Sequence, residues 1–471
     1  MTVFIRNGGP LMHRFLLAAG YLAASSVFLA PSQCQAADQP EWTVMVFMNA
    51  KNNLEPYAYH NFVEMASVGS TENVNILVEL GRPNRHYSSR FPEDWSKTLR
   101  FRITKDQKPT QANAVQDLGK VDMGSGNVLM EFVRWSQSTY PAKHYMLIVW
   151  DHGQGWRYYS ALTHEKGPLY ESALALRKEI WAKAGFKGSG SPKDAIAIDE
   201  SIHGTVRWLS QDEDTGNKLY NRDMQDALRL YLGNARLDVI AFDACLMSMI
   251  ETAFAMREVG KVMVASQELE PARGWNYSIW LKALTADPSI DGPAVGKSVV
   301  DAYRDRYKET DDTTMAALDL AQVENLASKV SAVAGILNRS LEDNNLLPHI
   351  KKARSDSLTY APDYGLQYVD IGMFLDNIVA ECSDKADIVS QAKDARKQIG
   401  AMVLQNYVND TRKAKYGSNG VSIYFPSSKT AFELDPDHDG YEISTTHFPV
   451  EFVTKKLSQN SPCLNLGILA K

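Results

Sequence analysis

LDVIAFDACLMSMIETAF, residues 237–254, joins an apolar run to a cysteine and an amphipathic segment. Residues 239–242 predict a fully buried parallel strand, and residues 246–257 predict the helix that follows it. Cys245 would then lie between a strand's carboxyl end and a helix amino terminus, where open α/β sheets bind ligands. A helix dipole at that point lowers the pKa of a thiol. The alternative is a buried structural cysteine.

A second apolar segment ends in a histidine. Residues 144–150, HYMLIVW, predict another buried strand, and DHGQG follows at 151–155. A cysteine nucleophile needs a base or an imidazolium partner, and glycines let the backbone approach a ligand closely. Among the ten histidines, only His152 follows a strand in this way. We therefore expect His152 and Cys245 at the same edge of one sheet, on neighbouring strands.

Strand and helix patterns alternate through most of the chain, which predicts an α/β protein with a mostly parallel sheet and helices on both faces. Further strands are predicted at 43–48, 73–80, 97–103, 195–198, 261–266, 313–318 and 421–425. Further helices are predicted at 54–66, 126–140, 222–232, 293–309, 320–342, 366–380 and 384–407. A polar segment near residue 342 suggests a boundary between a domain at 37–342 and a mainly helical subdomain at 343–471.

The composition is that of a globular, exported protein. The chain has 471 residues, is 44% hydrophobic and carries a net charge of −6, which excludes a basic footprint for nucleic acid. Basic residues precede the apolar run 15–30, and Ala36 is a plausible cleavage site, so residues 1–36 predict a signal peptide. We expect a periplasmic or extracellular protein with no membrane span after cleavage. An uncleaved anchor is the alternative.

Two further features concern cysteines and calcium. The mature chain keeps Cys245, Cys382 and Cys463, and a Cys382–Cys463 pair would leave Cys245 free. Asp435, Asp437 and Asp439 match the first half of a calcium loop, but the twelfth position of that loop is not glutamate. Calcium is therefore the one cofactor that the sequence suggests, and a charged surface turn is the alternative.

Four motifs occur in order along the chain: WTVMVFMNAKNNLE, YMLIVWDHGQGW, FDACLMSMIE and ASQELEPARGWNY. Together they resemble the clostripain family of cysteine peptidases, in the clan of caspases, legumain, gingipains and separase. The resemblance implies a caspase-like fold, with His152 as the catalytic histidine and Cys245 as the nucleophile. It also implies that the N–H groups of Gly153 and Cys245 stabilise the oxyanion, with no third catalytic residue.

The resemblance predicts an exported endopeptidase that acts on proteins or peptides. Related enzymes cut themselves soon after the histidine, and residues 157–193 are a lysine-containing tract rich in glycine and serine, which predicts an exposed loop. One alternative is a non-catalytic surface or calcium-binding protein on a peptidase fold. Another is an enzyme that ligates peptides instead of hydrolysing them.

Two positions depart from the family pattern. The family leads us to expect acidic residues where this chain has Lys51 and Arg273. An acidic pocket would bind arginine or lysine, whereas Arg273 would attract a carboxylate. Asp243 and Asn49 are expected to flank the same pocket, unless Asp243 caps the following helix. In the alternative, basic specificity rests on Asp243 alone, with Arg273 turned to solvent or paired with Glu268 or Glu270.

Overall fold

The computed structural model describes residues 39–156, 210–309, 312–339, 346–362, 366–409 and 417–427. Residues from Gln39 onward cluster as one compact unit. The predicted signal peptide, the loop 157–193, the strand 195–198 and the boundary at residue 342 lie outside the described residues.

The strands in chain order are β1 (Trp42–Asn49), β2 (Val74–Gly81), β3 (Thr98–Arg102), β4 (Gln116–Gly119), β5 (His144–Trp150), β6 (Ser210–Asp212), β7 (Asn217–Leu219), β8 (Leu237–Asp243), β9 (Gly260–Ala265), β10 (Thr314–Asp319), β11 (Thr359–Tyr360), β12 (Tyr368–Asp370), β13 (Val403–Val408) and β14 (Ser422–Tyr424). The helices are α1 (Glu55–Ala66), α2 (Gly126–Thr139), α3 (Asn221–Leu232), α4 (Ile250–Met256), α5 (Tyr277–Ala286), α6 (Gly292–Tyr307), α7 (Val323–Arg339), α8 (Leu346–Ser355), α9 (Ile371–Glu381) and α10 (Ala386–Met402).

Nine strands form the main sheet, in the order β13-β10-β9-β8-β5-β1-β2-β3-β4. The five central strands from β9 to β2 pair in parallel, while β10, β13, β3 and β4 pair antiparallel to their neighbours. The central strands are apolar and almost wholly buried, as strands covered on both faces must be. The predicted α/β fold and the adjacency of β5 and β8 are confirmed.

The two faces of the sheet carry separate apolar clusters, because successive side chains of a strand point to opposite sides. Phe242 of β8 packs with α2, α3 and α7 on one face. Ala241, its neighbour, packs with α1, α5 and α6 on the other face. Helices therefore cover both faces of the sheet, and a site can form only at the ends of its strands.

Two segments predicted as helices contain strands. Residues 366–370 include β12, and α9 begins only at Ile371, where the Asp370 carboxylate caps it by accepting from Met373 N–H at 2.8 Å. Residues 403–407 belong to β13, which pairs with β10 and so extends the main sheet. These segments are strands because a neighbouring strand gives them ladder partners, and such tertiary pairing overrides local propensity. Helices α5 and α8 were not predicted.

The hairpin of β6 and β7 is fastened to the turn after β1 by a buried ion pair. Lys51 is only 2% exposed, and its Nζ lies 2.8 Å from Asp212 Oδ2. It also donates to the carbonyl oxygen of Val121. Asp212 is fully buried and accepts a further hydrogen bond from Met123 N–H at 3.0 Å. Lys51 therefore supports the fold and does not face a pocket, which corrects its predicted position.

Among the described residues, no helix is both long enough and apolar enough to cross a bilayer.

The Lys51–Asp212 pair yields a stability prediction. Lys51→Met should lower the free energy of unfolding by about 3 kcal/mol, because it leaves a buried carboxylate without its cation. Lys97→Met is the control, since Lys97 pairs with the half-exposed Asp117 and should cost under about 1 kcal/mol. Urea unfolding measures both variants. Equal losses would contradict a structural role for the buried pair.

Candidate active site

Two neighbouring parallel strands bring His152 and Cys245 to the same edge of the sheet. Trp150, the last residue of β5, is in register with Asp243, the last residue of β8. His152 lies two residues beyond the end of β5, and Cys245 lies two residues beyond the end of β8. The segments touch at Gly153, where an added Cβ would lie 2.5 Å from the carbonyl oxygen and 3.0 Å from the nitrogen of Cys245. Only glycine permits this approach.

The chain does not enter a helix directly after Cys245. Leu246 adopts a left-handed conformation with φ of 66°, and α4 begins at Ile250 with Met249 as its N-cap residue. A buried leucine with positive φ is strained, and such strain tends to occur at functional sites. The predicted helix start at 246 is therefore wrong, and so is the prediction that a helix dipole acts on the thiol.

Cys245 is held by the loop that follows β9. Its half-buried Sγ accepts from Glu270 N–H at 3.2 Å and lies 3.8 Å from the Glu270 carbonyl oxygen. Burial raises the pKa of the thiol to about 12, and the nearby carboxyl groups of Glu270, Glu268 and Asp243 act in the same direction. The residue is therefore a thiol at neutral pH in this state.

The His152 ring hydrogen-bonds to the turn after β1. Its Nε2 lies 2.7 Å from Asn53 Oδ1, and burial lowers the pKa of the imidazole to about 4. Because an amide oxygen only accepts, Nε2 carries the ring proton and Nδ1 keeps its lone pair. No hydrogen bond joins this ring to Cys245 in the described part of the chain, so the resting site holds a neutral imidazole beside a thiol.

Asn53 is the site residue that the sequence analysis missed. It belongs to a polar turn after β1, and β1 lies next to β5 in the sheet. Its position shortly after β1 could have revealed it, because the carboxyl ends of neighbouring parallel strands share one crevice. From the sequence, we placed His152, Cys245 and Asn49 at this crevice but not Asn53.

Two backbone amides at the site have no acceptor among the residues that the structure describes. Within the described residues, neither Gly153 N–H nor Cys245 N–H donates a hydrogen bond to another group of the protein. The two predicted oxyanion donors therefore belong to segments in direct contact, and both remain available to a bound group.

Asp243 forms a buried carboxyl pair with Glu270. Asp243 Oδ2 accepts from Trp275 N–H at 3.2 Å and from the Tyr277 hydroxyl at 2.9 Å, and its side chain also hydrogen-bonds to that of Glu270. Burial raises the pKa of Asp243 to about 7 and holds that of Glu270 well above its usual range. Asp243 contacts the loop after β9 and does not cap the following helix.

Arg273 lies on the outside of this loop. Its side chain is exposed, and its Nε donates to His60 Nε2 at 3.0 Å. Among the residues described, the guanidinium pairs with neither Glu268 nor Glu270, and the exposed side chain matches the alternative in which Arg273 turns to solvent. Gly274, the next residue, adopts a φ of 65° and lies against Asp243, since an added Cβ would come within 2.9 Å of its carboxylate oxygens.

Other predicted site residues lie elsewhere. Asn49 is fully buried, donates to Ser210 Oγ at 2.8 Å and accepts from Lys51 N–H at 3.2 Å, so it presents no surface to a substrate. Cys382 is a free, buried thiol, and Cys463 lies outside the described residues. The calcium-loop residues Asp435, Asp437 and Asp439 also lie outside that range, within which no cluster of potential metal ligands occurs.

Comparisons with known proteins agree with the fold and the motifs. The model of the clostripain family matches residues 46–173 and 194–455. Clostripain from Hathewaya histolytica is 22% identical over 437 residues, which is 82% of this chain and 74% of the relative.

Two solved structures extend the comparison to the fold. A secreted cysteine protease from Bacteroides thetaiotaomicron, in complex with an irreversible peptide inhibitor, has a TM-score of 0.54 at 18% identity and covers 86% of this chain and 99% of its own. An inactive zymogen from Parabacteroides distasonis has a TM-score of 0.55 at 16% identity and covers 87% of this chain and 98% of its own.

A substitution that adds one methyl group at Gly153 tests the contact between the two segments. Gly153→Ala should push the His152 and Cys245 segments apart, because its Cβ would clash with backbone atoms. We expect a loss of about 1–3 kcal/mol in stability and a changed alkylation rate of Cys245. Gly400→Ala is the control, since its Cβ would meet no atom within 4 Å. If both variants behave alike, the close approach is unimportant.

Proposed function

Since this chain belongs to the clostripain family and is a cysteine-type endopeptidase, we propose that His152 and Cys245 form its catalytic pair. The observation that carries the proposal is the backbone contact between the two segments at Gly153. Membership of a family of cysteine endopeptidases also argues against the alternative of a non-catalytic protein on the same fold. The substrates are proteins or peptides.

The first half of the reaction forms an acyl-enzyme. Cys245 Sγ attacks the carbonyl carbon of the scissile bond while the thiol proton passes to His152 Nδ1, the nitrogen with a free lone pair. The oxygen of the tetrahedral intermediate accepts from Gly153 N–H and Cys245 N–H, which have no other acceptor among the described residues. The imidazolium then protonates the leaving amine, and the C–N bond breaks.

The second half hydrolyses the thioester. Neutral His152 removes a proton from water, the hydroxide attacks the acyl carbon, and the same two amides hold the oxyanion. Collapse breaks the C–S bond, and the imidazolium returns its proton to Cys245. Asn53 keeps Nε2–H engaged throughout, so Nδ1 remains the nitrogen that exchanges protons. An amine in place of water would give ligation, and product masses distinguish the two outcomes.

Export, self-processing and calcium binding belong to the same proposal. Similarity to a secreted protease supports export of this chain, to the periplasm or beyond the cell, after removal of residues 1–36. Similarity to an inactive zymogen supports activation by cleavage within 157–193. Calcium binding by Asp435, Asp437 and Asp439 stays a prediction, and no catalytic step depends on it.

The catalytic pair is tested by two substitutions. Cys245→Ala and His152→Ala should each abolish peptide cleavage, because one lacks the nucleophile and the other the proton acceptor. Cys382→Ala is the matched control and should stay active, since that thiol is free and buried at the carboxyl end of α9. Mass spectrometry of the same samples should find a cut within 157–193 in the wild type but not in Cys245→Ala. Full activity of either site variant would refute the pair.

We further propose that the pocket beside Cys245 does not strongly favour arginine or lysine. Asp243 is only 5% exposed and already accepts two hydrogen bonds, and its raised pKa weakens its charge at neutral pH. Arg273 adds an exposed cation to the same loop. A substrate side chain that is neutral or acidic therefore meets less repulsion than a basic one.

Arg273→Asp tests this preference. The variant should raise kcat/KM for an arginine substrate by about tenfold or more relative to a matched aspartate substrate, because it converts repulsion into attraction. Arg222→Asp, on the surface of α3, makes the same change of charge elsewhere and should leave the ratio unaltered. Strong arginine preference in the wild type, unchanged in Arg273→Asp, would contradict the proposal.

A further inference from the structure

The carboxylate next to His152 is buried and receives hydrogen bonds from several parts of the chain. Asp151 is 3% exposed. Its Oδ1 accepts from His152 N–H at 2.6 Å and from Asn52 Nδ2 at 2.7 Å, and its Oδ2 accepts from Gln211 N–H at 2.8 Å. The Ser210 side chain adds a fourth hydrogen bond. The mechanism proposed above uses none of these contacts.

Asp151 fixes His152 from two directions. Directly, it holds the backbone N–H of the histidine. Indirectly, it holds Asn52, whose Oδ1 accepts from Leu54 N–H at 2.9 Å and so closes the turn around Asn53. Asn53 is the residue whose Oδ1 bonds to the imidazole Nε2. One carboxylate therefore anchors both the backbone of His152 and the partner of its ring.

The β6–β7 hairpin holds Asp151 in turn. Ser210 accepts from Asn49 at 2.8 Å and hydrogen-bonds to Asp151. Gln211 donates its N–H to Asp151, and its carbonyl oxygen accepts from Asn52 Nδ2 at 3.1 Å. The buried Lys51–Asp212 pair then locks the hairpin to the turn after β1. The hairpin is the described segment that directly follows residues 157–209.

We propose that Asp151 is a positioning residue, which orients the His152 imidazole through its backbone N–H and through Asn53. The inference rests on the proposed catalytic pair and deepens it. Asp151 touches neither the nucleophile nor the proton in transit. Its contribution is to keep Nε2–H on Asn53, so that Nδ1 stays turned toward the reacting proton. Small displacements of a catalytic group can cost about 100-fold in rate.

Asp151→Asn is the principal test, because it keeps the size of the side chain but replaces one accepting oxygen with a donor. We expect kcat to fall by about 10- to 100-fold, with KM for a short peptide changed by less than about threefold. Imidazole nitrogen-15 shifts, measured with His152→Ala as the assignment reference, should show His152 losing its single Nε2–H tautomer.

Asp238→Asn is the matched control. Asp238 is also buried, and it accepts from the backbone N–H of Tyr145 in β5 at 2.9 Å. It lies near the amino end of β8, whereas the candidate site lies at the carboxyl ends of the strands. This variant should cost stability without changing kcat or the His152 tautomer. If Asp151→Asn does not fold, Ser210→Ala removes one hydrogen bond of the same carboxylate and should give a smaller shift in both readouts.

The possible outcomes separate the two proposals. An unchanged tautomer and kcat in a folded Asp151→Asn protein would overturn the positioning role while leaving the catalytic pair intact. A changed tautomer in Asp151→Asn, combined with full activity of His152→Ala, would support the positioning role but refute the catalytic pair. Equal losses of kcat in Asp151→Asn and Asp238→Asn would reduce Asp151 to a structural residue.

Discussion

The parallel pairing of β5 with β8 is the constraint on which the site depends. Its register aligns Trp150 with Asp243, so His152 and Cys245, each two residues beyond a strand end, reach the same crevice. Glycine at 153 then lets the two backbones touch. The pairing of β1 with β5 adds the Asn52–Asn53 turn, and the loop after β9 adds Glu270. Each neighbouring strand end thus contributes one part of the site.

The electrostatics of this crevice favour the neutral forms of the Cys245 thiol and the His152 imidazole. Burial keeps Cys245 protonated and His152 unprotonated, and the carboxyl groups of Asp243 and Glu270 raise the cost of a thiolate. In the proposed mechanism, attack by the thiol must therefore couple to proton transfer, and the N–H groups of Gly153 and Cys245 stabilise the negative charge that develops on the substrate. On this proposal, substrate binding completes the site, because it supplies the acceptor that these amides lack among the described residues.

The buried strands and the placement of His152 and Cys245 after neighbouring strands were predictable from sequence, because long apolar runs followed by polar residues and glycine give a strong signal. The turn after Cys245 was not predictable, since the positive φ of Leu246 depends on packing around it. Likewise, β13 is a strand only because β10 lies beside it. The family pattern assigned Lys51 to a pocket, and its ion-pair partner, Asp212, is too distant in sequence to be predicted. Local patterns do not reveal such long-range partners.

A crystal structure of the enzyme trapped by an irreversible peptide inhibitor tests the central claim most directly. That claim is that the β5 and β8 ends together form one catalytic crevice. We predict a covalent bond to Cys245 Sγ, with the inhibitor oxygen accepting from Gly153 N–H and Cys245 N–H and with His152 Nε2 still bonded to Asn53. An adduct on another residue, or an inhibitor oxygen directed away from both amides, would contradict the account.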